Sequence, residues 1–173
     1  MAVQLYDLTV ATYLQTLGAV NGFLERGAAH CRDNNIDPEE IVETRLWNDM
    51  LPFRFQLISV AHHSAGAIEG VKAGAFAPPS ERRPLNYPEL QGLVAEARAK
   101  LAALSREEVN ALEGKDVTFA IGDYKVPFIA ENFLMSFSMP NFYFHATTAY
   151  DILRSKGVPL GKRDFMGQMR TKS

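Results

Sequence analysis

A helix that is apolar on nearly every side has to be enclosed by other elements, and one stretch of this chain has that character. Residues 130–157, AENFLMSFSMPNFYFHATTAYDILRSKG, follow a helical period. At about 100° per residue, Leu134, Ser138, Asn141, His145, Ala149 and Ile152 fall on one line. Phe137, Phe142 and Thr148 flank that line, while Phe133, Tyr143, Phe144 and Tyr150 lie further round. Pro140 lacks the N–H that would bond back to Ser136, which predicts a kink one turn before His145. Gly157, preceded by Arg154 and Lys156 and followed by Pro159, fits a left-handed helix end. The inward line is polar in its middle, at Ser138, Asn141 and His145. A buried polar group left unpaired costs about 1–3 kcal/mol, so other helices must supply partners.

Those helices are legible upstream. From about Asp7 to Asn34, Val10, Leu14, Leu17, Asn21, Leu24, Ala28 and Cys31 share a face that only Asn21 makes polar. Asp37-Pro38-Glu39-Glu40 starts a short helix with a capping residue and proline at the first helical position. A second long helix runs from about Met50 to Ala73, with Leu51, Phe55, Ile58, His62, Ala65 and Glu69 as its inward line. On that count His62 faces the bundle and His63 lies about a quarter-turn aside. Residues 74–86 carry three prolines and no period, which predicts a loop. Asn86 with Glu89 caps a third helix whose stripe, Leu90, Val94, Ala97, Leu101 and Leu104, is unbroken. Ser105 opens another short helix. Then the period changes: Val117, Phe119 and Ile121 alternate, Gly122-Asp123 follows, and Tyr124, Val126 and Phe128 alternate again. This predicts a hairpin pairing Ile121 with Tyr124, Phe119 with Val126 and Val117 with Phe128, all six packed on the helices. The expected fold is all-α: a four-helix bundle over residues 1–173 as one domain, with short capping helices and a two-stranded β-hairpin before the last long helix.

Composition narrows the function. A formal net charge of −2 with no basic stripe argues against nucleic acid. No run reaches the length of a membrane span, and the first residues do not resemble a secretion signal. The lone Cys31 cannot form an internal disulfide, which fits a reducing cytosol. A cytoplasmic protein is therefore expected.

Three segments carry a resemblance. They are Arg45-Leu46 with Asp49-Met50-Leu51-Pro52, the run from Pro140 through His145 to Arg154, and Gly161-Lys162-Arg163-Asp164-Phe165. Over nearly its whole length the chain resembles an uncharacterised bacterial family, a domain of unknown function, in the DinB/YfiT-like superfamily of four-helix bundles. The resemblance implies a homodimer. It also implies a divalent metal such as zinc or nickel, held in many members by one histidine of the second helix and two, four apart, of the last. Here His62 (less well His63) and His145 match two of those positions. The third falls on Asn141 or Ala149, so the triad is incomplete, and Asp49 or Glu69 would have to complete it.

The leading expectation is a metal-free bundle that binds a small ligand or a partner protein. Its binding residues would be His62, His145, Asn141, Asn21 and Ser138, as one hydrogen-bonded cluster between helices. The alternative is a divalent-metal-dependent enzyme, a thiol-dependent transferase or hydrolase, using His62 and His145. Catalysis by one histidine as general base without metal is a third possibility, for which no nucleophile motif is present.

Overall fold

The computed structural model describes residues 2–79 and 84–172. The chain is mostly helical. A short α1 (Leu5–Leu8) leads into the long α2 (Val10–Asn34), and α3 (Pro38–Val42) begins at Asp37, whose side chain accepts from Glu39 N. The second long helix is built in three pieces: α4 (Phe53–Ala61), a π-helical turn (His62–Gly66) and α5 (Ala67–Ala73). Strand β1 (Ala75–Phe76) precedes α6 (Tyr87–Ala102), which opens with the Asn86–Glu89 capping box. After α7 (Arg106–Asn110) come β2 (Asp116–Ile121) and β3 (Tyr124–Ile129). The last long helix also has three pieces: α8 (Ala130–Asn132), a second π-helical turn (Phe133–Ser138) and α9 (Met139–Ser155). Helix α10 (Lys162–Met166) closes the fold against α2.

Helix α2 packs on α6, α6 on α4, α4 on α9, and α9 back on α2. The shared core takes Tyr13, Leu17, Val20 and Leu24 from α2, and Phe53, Leu57 and Val60 from α4. It takes Leu90, Val94 and Leu101 from α6, and Phe142, Ala146, Ala149 and Ile152 from α9. Each large side chain so enclosed contributes about 1.5–3 kcal/mol over leaving it in water. Gly157, at φ +87°, ends the last helix in the left-handed conformation that suits glycine.

A close approach sets the distance between α2 and α6. Tyr87 Oη donates to Leu24 O at 2.8 Å, and its hydroxyl sits where a Cβ on Gly27 would be. Alanine is the better helix former by about 1 kcal/mol, but its methyl would overlap a buried, bonded oxygen. Gly27→Ala is therefore expected to destabilise the protein by about 1–3 kcal/mol despite the propensity gain, as urea unfolding would measure.

Three departures from the sequence expectations have physical causes. The sheet is three-stranded, in the order β1-β2-β3, not a lone hairpin. Ala75 pairs in parallel with Thr118 and Phe76 with Phe119, a strand too short for any period to reveal. Strands β2 and β3 pair antiparallel, with Val117 opposite Phe128, Phe119 opposite Val126 and Ile121 opposite Tyr124. The hairpin packs on the helices through its base and middle, where Phe119 meets Phe137 at 4.8 Å, and not through its tip. Val117 is buried, whereas Ile121 and Tyr124 at the tip are 53% and 64% exposed because the hairpin overhangs its support. Finally, the turn before Pro140 is π-helical over Phe133–Ser138. The wider turn lies where the proline's missing N–H already interrupts the regular ladder.

Candidate functional site

The two π-helical turns lie on neighbouring helices and are bonded to each other. Ser138, at the end of the second, donates its hydroxyl to His63 O in the first, at 3.0 Å. The same hydroxyl oxygen lies 3.3 Å from His63 Nδ1. A hydroxyl has one proton, and here the carbonyl takes it. His63 Nδ1 must therefore carry its own hydrogen and donate to Ser138 Oγ, which leaves Nε2 as a bare lone pair.

His145 reaches the same tautomer by another route. Its Nδ1 is 2.8 Å from Gln56 Oε1, and Gln56 Nε2 donates to Leu51 O at 2.7 Å. The backbone carbonyl fixes which end of the amide is which, so an acceptor faces the ring. His145 Nδ1 is then the donor and its Nε2 the free lone pair. The two rings lie nearly parallel, 15° apart, with centroids separated by 6.1 Å. Phe55 and Phe144 meet His145 edge to face, at 5.9 and 5.2 Å, and Phe137 meets His63 at 5.9 Å.

Burial keeps both rings neutral. His63 is only 7% exposed, and desolvation, with the neighbouring imidazoles His62 and His145, brings its pKa down to about 3. His145 is half-buried, and desolvation brings it to about 4. Neither Nε2 has a partner among the described residues. Neither is sealed either, because the buried side-chain polar atom without a partner among those residues is Tyr13 Oη. That phenol lies in the core beside Ser138, edge-on to Phe142 at 4.9 Å, and burial raises its pKa. Tyr13→Phe removes a hydroxyl that has no aligned bond to lose. It is expected to leave stability unchanged or raise it by up to about 1 kcal/mol in urea unfolding.

The structure rearranges the residues singled out in the sequence. Ser138 and His145 stand in the cluster. His62 does not. It is half-buried and meets His63 edge to face at 5.4 Å, but its Nε2 lies 2.7 Å from Ala77 O and its ring stacks on Phe76 at 4.3 Å. The inward line of α4 and α5 runs instead through Phe53, Leu57, Val60, Ser64, Ile68 and Val71. This helix is apolar on two sides, so hydropathy did not choose between them. Asn141 turns its amide onto its own helix, donating to Phe137 O at 2.8 Å. Asn21 is half-buried on the other side of α2, in a groove with Gly18, Arg98 and Met169 of the carboxyl-terminal tail. In their place Gln56 from α4 and Tyr13 from α2 complete the cluster. Gln56 had a visible signal, a lone amide within an apolar helix.

The donors do not make a metal centre of the expected kind. Two imidazole lone pairs are available, and no group of three or more His, Cys, Asp or Glu able to hold a metal occurs among the described residues. Asp49 is exposed, and Glu69 pairs with Lys72 beyond His62. Zinc and nickel sites need a third protein ligand that neither Asn141 nor Ala149 supplies.

Comparison with known proteins fits this fold to a family. A family model described as a domain of unknown function, DUF1993, matches residues 5–166. The chain belongs to the DUF1993 family. No curated protein matches it. Its fold is DinB-like: the crystal structure of a DinB family member protein from Shewanella denitrificans superposes with a TM-score of 0.78. That pair is 24% identical, over 98% of this chain and 95% of the other, a likeness that establishes the fold. In this DUF1993 chain no helix among the described residues is long and apolar enough to cross a membrane.

Proposed function

We propose that this DUF1993 protein is a metal-free binding protein. Its site takes a small ligand that offers hydrogen-bond donors on an apolar body, at His63 and His145. A single-domain four-helix bundle carries the site, and the cyclic contacts of α2, α6, α4 and α9 support that architecture. The observation that carries the reading is the pair of neutral imidazoles whose Nδ1 protons are already committed, to Ser138 and Gln56. What each ring offers outward is an acceptor. Phe55, Phe137 and Phe144 beside the rings suit an apolar body. With pKa values near 3 and 4 the rings would be poor general bases at neutral pH, which weighs against metal-free catalysis. A cytosolic homodimer is the assembly proposed, on the superfamily resemblance and the unpaired Cys31.

One observation favours a second reading. An Nδ1–H held by a second group is how metal-bound histidines are commonly oriented. A divalent-metal enzyme, a thiol-dependent transferase or hydrolase, is therefore kept as the alternative, with His63 and His145 in place of the pair His62 and His145. The missing third ligand counts against it. Fragment titration followed through the histidine ring resonances tests both. Donor-rich fragments are expected to move the signals of His63 and His145, and His145→Ala to abolish the effect. Acceptor-only fragments should have none. Stoichiometric zinc uptake lost in His145→Ala would instead establish the alternative.

A further inference from the structure

A cavity lies along the face of the second long helix that carries His62. It occupies about 670 Å³ between that helix and α6, and Phe76 forms part of its wall. That volume is within the range of small-molecule pockets. Its apolar lining includes Ala61, Ala65, Gly70, Leu93, Ala97 and Phe76. Its polar groups are His62, Glu69, Glu96 and Lys100.

Their chemistry is one-sided. His62 Nε2 is 2.7 Å from Ala77 O, and a carbonyl can only accept, so Nε2 carries the hydrogen and Nδ1 the lone pair. That Nδ1 looks toward Gly66, lying 3.3 Å from where a Cβ there would stand. Burial lowers the pKa of this ring as well, which keeps the lone pair free of a proton. Glu69 Oε1 pairs with Lys72 at 3.1 Å and Glu96 Oε1 with Lys100 at 2.7 Å. Each carboxylate therefore keeps its second oxygen. Three acceptors thus line an apolar chamber, against one cation among the described lining residues, Lys100, which Glu96 already holds.

We infer that this cavity is a second binding site, for a small organic cation: a primary amine on an aromatic or alkyl body. The body would lie among the alanines and Phe76, with its ammonium at His62 Nδ1 and the two glutamates. The hydrogen bonds that tie His63 to Ser138 and His145 to Gln56 do not involve His62, whose ring adjoins that of His63 at 5.4 Å.

Phenethylamine is the probe, and 3-phenylpropanoate, with the same body and the opposite charge, is its control. Calorimetry at neutral pH is expected to give a dissociation constant on the order of 1 mM or tighter for the amine. The carboxylate should bind at least about tenfold more weakly, because it meets the His62 lone pair and two glutamates while Lys100 is already held by Glu96. Gly66→Ala places a methyl against Nδ1 at a helical φ of −61°, where alanine is favoured, so the fold is retained while the cavity is obstructed. It should weaken the amine about tenfold, and Glu96→Gln about threefold. The amine should move the His62 ring resonances and leave those of His145 in place, and His145→Gln should bind it normally. Equal affinity for amine and carboxylate overturns the assignment. So does binding that survives Gly66→Ala but is lost in His145→Gln, or no shift at His62 up to the solubility limit of the amine.

Discussion

Phe133→Ala is expected to cost about 3–5 kcal/mol, the range for truncating a fully buried aromatic. In a protein of this size that corresponds to a fall of about 10 °C in Tm. Phe133 has no exposed surface and sits where three parts of the molecule meet. Its ring centroid is 5.0 Å from Phe76 of β1, 5.8 Å from Phe128 of β3 and 5.6 Å from Phe137 of its own π-helical turn. Phe137 in turn packs on His63. The loss should therefore reach the site, broadening or moving the His63 ring signals as well as lowering stability. Urea unfolding at neutral pH measures the first effect. A cost below about 1 kcal/mol would mean that sheet and helix are not held together at this ring.

The second large effect is acid instability in a window that carboxylates do not explain. An unfolded histidine titrates near 6.5, whereas the folded protein holds His63 near 3 and His145 near 4. Between those values the unfolded chain binds more protons than the native one, so stability falls as the pH falls. The stabilisation is whole above about pH 6.5 and is lost progressively toward the folded values. His62, also lowered by burial, acts with the same sign. For His63 alone the loss between about pH 6.5 and 4.5 is about 2 kcal/mol, most of it above the range in which carboxylates titrate. His63→Asn keeps an amide that can donate to Ser138 Oγ but cannot take a proton. Unfolding free energy followed against pH should therefore fall less steeply in that variant. An unchanged slope would place the titrating group elsewhere.

Much of this was visible in the residues alone, and the failures have causes. The pairing of Phe119 with Val126 follows from strict alternation around Gly122-Asp123, because register in a hairpin is fixed by its turn. Ser138 and His145 fall inward by simple counting from Leu134. The exchange of His62 for His63 could not be seen that way. The helix carrying them has apolar residues on both the core side and the cavity side, so hydropathy gives no single face. A π-helical turn adds a further difficulty, since its extra residue rotates everything beyond it. The expected face of α2 holds at Val10, Leu17, Leu24 and Cys31, but Tyr13 was missed because the buried stripe widens toward Tyr13 and Val20 and not toward Leu14 and Asn21. Two π-helical turns facing each other have no signature in composition; they become visible only through the bonds that tie Ser138 to His63.

Long-range proton–nitrogen correlation of the histidine rings at neutral pH tests the two-acceptor site most directly. His63 and His145 should each show a protonated Nδ1 and an unprotonated Nε2. A hydrogen on either Nε2, or a doubly protonated ring at neutral pH, would contradict it.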